Sequence, residues 1–271
     1  MILLRLFFPL LSLAFIPKPA TIIQKTVENN GAGIYAIEQE VQFPSSQEPV
    51  YLRENWLIEN ENKMRLVVTG TRELKDKIHW VFVYDNGIQT QNLSGVHRKE
   101  LDADFIEKYF HYRRADHLQS VLAQLKIVPS SVFAKKPYKL SKEPDTFTDP
   151  HVRLARSGGV IVYAFGLPTE VGAPPAPAFF IEQDQFVLRK FRLPSEAEVS
   201  ADHFSTFARG LNFPRARTVR WGDKQVLIQT IHVQPKTERT IPASLEASTS
   251  MDVPELGAAK SLVEEFYKRF R

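Results

Sequence analysis

Four β-hairpins, written on strands that are apolar on both faces, constrain the fold of this chain more than any other feature. The first joins Trp80–Tyr84 to Ile88–Thr90 through Asp85-Asn86-Gly87, and the second joins Val152–Arg156 to Val160–Phe165 through Ser157-Gly158-Gly159. The third runs from Phe179–Ile181 through Glu182–Gln185 to Phe186–Phe191, and the fourth from Arg217–Trp221 through Gly222-Asp223-Lys224 to Gln225–Val233. Asn-Gly, Gly-Gly and Gly-Asp supply the positive φ that tight hairpin turns need. A meander with one wet face alternates apolar and polar residues. Here Trp80, Phe82 and Tyr84 point one way while Val81 and Val83 point the other, and Val160, Val162 and Ala164 likewise oppose Ile161, Tyr163 and Phe165. Such a sheet needs cover on both sides, or one apolar face kept for a ligand.

The length of 271 residues fits one large β domain. Charge is nearly balanced, with 35 Lys+Arg against 31 Asp+Glu. The short basic clusters Arg113-Arg114 and Lys135-Lys136 read as solvated surface. There is no cysteine, which excludes disulfides, thiol nucleophiles and lipid attachment through a cysteine. Residues 1–14 read as a secretory signal: Arg5 is followed by the apolar run Leu6–Ile16, and Ser12-Leu13-Ala14 fits the small-x-small cleavage pattern. Cleavage after Ala20 is the alternative, with Lys18 against it, and an uncleaved N-terminal anchor is another. A bilayer takes about 20 apolar residues, and no other segment approaches that. The expectation is an exported, soluble protein, periplasmic in a bacterium with two membranes.

Along the chain, residues 20–30 read as a short helix with Ile22, Ile23 and Val27 at helical spacing, and Ile34–Phe43 as a first strand. The second strand, residues 50–58, alternates most cleanly. Val50, Leu52, Trp56 and Ile58 share one face, with Glu54 the exception to that face. Lys63–Thr69 is its partner. Together with the four hairpins this gives ten to eleven strands. A helical pair interrupts them, with Phe105, Ile106, Tyr109 and Phe110 as one stripe and Leu118, Val121, Leu122 and Leu125 as the other. A proline-rich crossover follows over residues 128–150. Residues 235–252 read as a linker, and residues 253–271 as an amphipathic helix with Leu256, Ala259, Val263, Phe266, Tyr267 and Phe270 on one face.

The search for chemistry finds little. The seven histidines are scattered, and no metal spacing, nucleophile elbow or phosphate loop is present. Asp102 with Asp104, and Asp145 with Asp149, are explained by capping and turns. No enzyme activity, metal or cofactor is expected. Aromatic residues interleaved with arginine over Phe186–Arg192 are ordinary for strands with one buried face, and export speaks against a nucleic-acid partner.

The order of these elements resembles the LolA/LolB-like family of periplasmic lipoprotein carriers. The resemblance is carried by the strand Ile34–Val41, by Val50–Ile58, by the turn Tyr84-Asp85-Asn86-Gly87 and by the late unit Phe213–Lys224. It covers residues 20–234. It implies a curved, unclosed antiparallel barrel with a helical lid or plug over an apolar cavity for acyl chains. It also implies an arginine on the second strand that closes the lid, with Arg53 the nearest match and Arg65 the alternative.

The expected function is therefore a carrier of lipid or of lipoprotein acyl chains. Trp56, Trp80, Phe82, Phe180 and Phe186 are the candidate cavity residues and Arg53 the candidate lid residue. The expected partners are acylated lipoproteins and inner- and outer-membrane transport components, and the expected state is a monomer. Two short helices cannot fill so wide a concavity, so open apolar surface is expected inside. The alternative is a non-enzymatic protein-interaction or stress-sensing module on the same fold.

Overall fold

A computed structural model describes residues 16–46, 48–92, 96–134, 150–238, 240–242 and 248–271. The expected signal segment 1–14 and most of the proline-rich crossover lie outside the described residues. The strands are β1 (Ile34–Phe43), β2 (Val50–Asn60), β3 (Lys63–Gly70), β4 (His79–Asp85), β5 (Ile88–Asn92), β6 (Val96–Glu100), β7 (Val152–Ser157), β8 (Val160–Phe165), β9 (Ala178–Glu182), β10 (Leu188–Arg192), β11 (Glu198–Thr206), β12 (Asn212–Trp221) and β13 (Lys224–Lys236). The helices are α1 (Pro19–Glu28), α2 (Ala115–Gln124) and α3 (Lys260–Arg269).

All thirteen strands form one antiparallel sheet in the order β6-β5-β4-β3-β2-β1-β13-β12-β11-β10-β9-β8-β7. Two meanders, β1 to β6 and β7 to β13, are stitched together where β1 pairs with β13. The sheet does not close, because its two edges, β6 and β7, do not pair. The mainly β, unclosed LolA-like half-barrel read from the sequence is present, with more strands than the ten to eleven expected.

The additional strands are β6 and β11. β6, Val96-His97-Arg98-Lys99-Glu100, is exposed throughout. It is held by backbone pairing with β5 and carries no apolar alternation that a sequence pattern could show. β11 buries Val199 and Ala201 but carries Asp202-His203 mid-strand. The first hairpin turn is as expected, with Asn86 at φ 49° and Gly87 at φ 81°. The third is not. Phe186, expected to begin a strand, sits at φ 54° in the turn, and β10 starts at Leu188.

The first helix of the expected pair is absent. Residues 102–110 form turns ending in a 3-10 segment, Glu107–Phe110, and only the second stripe becomes an α-helix, α2. The cause is burial on all sides. Asp104, Phe105, Ile106, Glu107, Tyr109, Phe110, His111 and Tyr112 are all buried, so the segment is an irregular plug and not a one-faced helix. α1, α2 and the turn at Ser130–Phe133 pack on one another. The Ser130–Phe133 turn reaches the β7–β9 end of the sheet, where Phe133 stacks on Phe165. No helix among the described residues is long and apolar enough to cross a membrane.

Curvature follows from contacts. β4 and β12 stand five strand spacings apart in the sheet order, which is about 24 Å if flat at ~4.8 Å each. Yet Trp80 of β4 packs on Tyr267, and Trp221 of β12 packs on Phe270, one turn of α3 away. One helix reaches both only because the sheet wraps around it.

Candidate functional site: an occupied concave seat

The concave face is built from alternate residues of each strand. β1 contributes Ile37, Gln39, Val41 and Phe43, β2 contributes Leu52, Glu54, Trp56 and Ile58, and β4 contributes Trp80, Phe82 and Tyr84, all buried. Two occupants fill it. The inserted segment lays Phe105 on Tyr84 (4.7 Å between centroids) and Tyr109 on Phe191 (4.7 Å), with Phe110 against Phe213.

The second occupant is α3. Its apolar stripe, Val263, Phe266, Tyr267 and Phe270, is buried as the spacing predicts, but its destination was not legible. It lies inside the half-barrel, with Phe266 edge-on to Phe43 and Tyr267 stacked on Phe82. Residues 248–250 bring the chain there. β5 pairs with β4 only from Phe82 onward, and the bare start of β4 is completed by this segment: Thr249 N–H donates to the His79 carbonyl at 2.8 Å, and the Trp80 indole N–H to the Ser250 carbonyl at 3.2 Å. The expected open apolar surface is thus covered by the chain's own last helix.

Between the two occupants lies a buried charge network. Arg271 Nε and Nη2 donate to Glu54 at 2.9 and 3.1 Å, and the Trp56 indole N–H donates to the same carboxylate at 3.0 Å. Arg271 Nη1 lies 3.5 Å from Glu107, which accepts from Arg217 Nη1 at 2.9 Å. Arg217 also donates to Gln39 at 2.7 Å, His111 Nε2 lies 3.3 Å from Glu107, and Gln89 donates to the Arg271 carbonyl at 2.9 Å. The side chains of Glu54, Glu107, Arg217, Arg271 and His111 have no exposed surface.

Burial alone would raise the Glu107 carboxyl, but Arg217, the His111 hydrogen bond and Arg271 outweigh it and hold the group well below the usual carboxylate range. Burial likewise works against the Arg271 cation, and Glu54 and Glu107 overcome it, leaving the guanidinium more basic than usual. His111 is lowered, burial outweighing Glu107, so the ring is neutral at pH 7. The arrangement seals Glu54 and Glu107 against Arg271 and Arg217. Among the described residues no three His, Asp or Glu side chains gather as a metal site.

The candidate residues divide. Trp56, Trp80 and Phe82 converge on α3 and Arg271, whose guanidinium lies 5.5 Å from the Trp56 ring. Phe180 is half-buried on the opposite face from its buried neighbour Phe179, with the Lys190 ammonium 5.9 Å from its ring. Phe186 stacks on Tyr163 at the far end of the sheet under Lys25 of α1. Arg53 pairs with Glu38 and Glu40 of β1. The residues missed were Glu54, Glu107, Arg217 and Arg271. The available signal was Glu54, the polar exception on the apolar face of β2.

Compared with solved structures, the fold matches a LolA-superfamily protein of Nitrosomonas europaea at a TM-score of 0.51 and 9% identity, covering 82% of this chain and 96% of that one. The protein has a LolA-like fold. A putative outer-membrane lipoprotein-sorting protein domain of Vibrio parahaemolyticus (TM-score 0.48, 11% identity, 80% and 92% covered) and a DUF1329-family protein of Desulfovibrio piger (0.49, 7%, 80% and 92%) are also similar. No family model and no curated protein matches the sequence. The LolA-like frame matters for the seat, because α3 and residues 104–112 occupy the concave side, where the sequence resemblance puts the acyl cavity.

Proposed function

We propose that the protein is a non-enzymatic periplasmic carrier that holds lipid or lipoprotein acyl chains against the concave face of its sheet, in the service of outer-membrane lipoprotein sorting. The observation that supports this is the concave aromatic floor of Phe43, Trp56, Trp80, Phe82 and Trp221 on a LolA-like half-barrel. Each methylene moved from water onto such a floor contributes about 0.8 kcal/mol, so most of the binding energy of a long acyl chain comes from its length. Loading requires that the floor be uncovered, which makes movement of an occupant part of the mechanism. Acylated lipoproteins and inner- and outer-membrane transport components are the partners this reading implies.

The test is solvent extraction of protein purified from its own envelope, with mass spectrometry of the extract, followed by titration of the stripped protein with an acyl probe. Co-purifying lipid and saturable quenching of tryptophan emission are expected. Protein that carries no lipid and does not respond to the probe overturns the carrier reading. That result favours the second reading, a protein-interaction module, which has its own supporting observation: the floor is occupied by a peptide helix.

A further inference from the structure

α3 makes no strand pairing with the sheet. Outside the seat it is fastened by Lys224–Glu265, whose side chains are 39% and 34% exposed, a kind of pair that holds weakly, and by Arg269 on the nearly buried Asp104 of the inserted segment. Inside the seat it meets two demands at once. Phe266, Tyr267 and Phe270 cover the aromatic floor, and Arg271 neutralises Glu54. The second demand is the selective one. With α3 out, Glu107 still has Arg217 and His111. Glu54 would keep the Trp56 indole N–H but lose the guanidinium that both its oxygens accept from. Arg217 of β12 would then act on Glu54 only through space, and a buried carboxylate without a hydrogen-bonded cation is strongly disfavoured. Any other occupant of the seat must bring both an apolar body and a positive charge.

We propose that the seat beneath α3 is the carrier's cargo site, that it takes an amphiphile with a cationic amine-type head on Glu54, and that α3 is its built-in stopper. The proposal rests on the carrier reading above and adds the head-group chemistry and the occupant that must leave. Cargo and α3 compete for the same carboxylate and the same floor, so the helix is displaced as the amphiphile enters and returns when it departs. The chain reports this itself: it has three tryptophans, and Trp56, Trp80 and Trp221 each touch α3 or Arg271.

The experiment titrates the full chain at pH 7 with dodecylamine and with dodecanoate, both below their micellar concentrations. It follows tryptophan emission together with amide hydrogen exchange over residues 260–271. The expected result is binding of the amine tighter than the carboxylate by about tenfold or more, with loss of exchange protection in α3 on loading. Glu54→Gln abolishes the preference. Arg271→Met, which frees Glu54 of its competitor, binds the amine more tightly than the wild type and serves if the Glu54 variant does not fold. Equal affinity for the two amphiphiles overturns the head-group assignment and leaves the carrier reading standing. Binding with α3 still protected overturns the stopper. A free peptide of residues 253–271 that binds where neither amphiphile does makes the seat a receptor for cationic helices and overturns both the proposal and the carrier reading.

Discussion

Arg53 and Glu54 are neighbours on β2, carry opposite charges, and face opposite worlds. Arg53 points to the convex side and pairs with Glu38 and Glu40 while a third of its side chain stays exposed (33%). Glu54 points into the half-barrel, is fully buried, and shares its carboxylate between Arg271 and the Trp56 indole. The resemblance to lipoprotein carriers draws attention to the arginine, whereas the contact with α3 is made by the glutamate. On the convex side the charge is still hydrated, so its pairing is nearly optional. On the concave side the carboxylate has lost its water, so its partner is obligatory and the position of α3 is fixed with it. The same contrast holds across the sheet, where Lys190 and Arg192 share Glu198 on the convex side while Arg217 and Glu107 are sealed inside.

The largest effect should come from splitting the sealed pair. Glu54→Ala leaves Arg271 buried with only the more distant Glu107, and breaking a buried pair from one side costs about 3–5 kcal/mol. Urea unfolding should show this as a lowered midpoint with an unchanged slope. The double variant Glu54→Leu, Arg271→Met removes both charges and should recover most of that loss, because a well-packed apolar pair replaces a desolvated ionic one at little cost or with a gain. A double variant no better than the single would show that the network supports the fold through geometry and not through mutual neutralisation.

Next in size is the seat's apolar half. Phe266→Ala removes a fully buried ring that touches Phe43, Tyr267, Phe270 and Trp221, a change that costs about 3–5 kcal/mol where the surroundings cannot collapse. If α3 separates from the sheet as a unit, part of this loss should register as faster amide exchange in residues 260–271 before global unfolding. The same truncation at Phe180, half-buried on the convex side, should cost far less, since it leaves no sealed cavity. Equal losses at the two positions would break the distinction between the faces.

These comparisons show what was legible in the sequence. Three of the four hairpin turns were, because Asn86-Gly87 and its glycine-bearing counterparts are turn chemistry that depends on neighbours alone, whereas the third turn has no glycine and its second strand starts at Leu188, not Phe186. The stripe Val263, Phe266, Tyr267, Phe270 was legible as an amphipathic face, but periodicity states that a face is buried and not against what. The destination of α3 is set by contacts such as Phe266 to Phe43 and Arg271 to Glu54, 217 positions apart. The stripe Phe105–Phe110 misled for the converse reason: its spacing suited a helix, yet Glu107 and His111 are buried alongside the aromatics, so the helical spacing did not mark one face. β6 was invisible because its residues contribute backbone bonds and no buried side chain. Arg53 and Arg65 compete in the sequence, and their side of the sheet does not separate them, since both alternate with concave residues, Arg53 with Leu52 and Glu54 and Arg65 with Met64 and Leu66.

A smaller effect is expected from pH. His111 sits within the sealed network facing Glu107, Arg113 and Arg217, and its folded pKa is depressed by burial despite Glu107. As pH falls through about 6.5, the ordinary imidazole value, the unfolded chain takes up a proton that the folded chain refuses, so stability declines toward acid. Glu107 acts in the same direction lower down. Its folded pKa is depressed, so the stability it contributes is present above its unfolded value, near 4.3, and is lost as pH falls below that. Thermal unfolding between pH 8 and 5 should show the His111 step, with a slope of at most about 1.4 kcal/mol per pH unit, and His111→Gln should flatten it. A slope that survives His111→Gln would place the titrating group outside the seat.

The smallest effect tests the comparison from its other side. Arg53→Ala removes a guanidinium whose partners, Glu38 and Glu40, are each about a third exposed (34% and 28%). Exposed pairs of this kind contribute about 0–1 kcal/mol, and salt screens most of that. The variant should therefore unfold within about 1 kcal/mol of the wild type, with the difference shrinking as ionic strength rises. It should also leave amide exchange in α3 unchanged, because Arg53 contacts neither occupant of the concave side. Glu54 lies one residue away, and its replacement should change both readouts. If Arg53→Ala instead loosened α3 or altered acyl-probe binding, the convex charges would have to be coupled to the seat through the β1–β2 pairing, and the division of this sheet into a hydrated and a sealed face would fail at the strand that defines it.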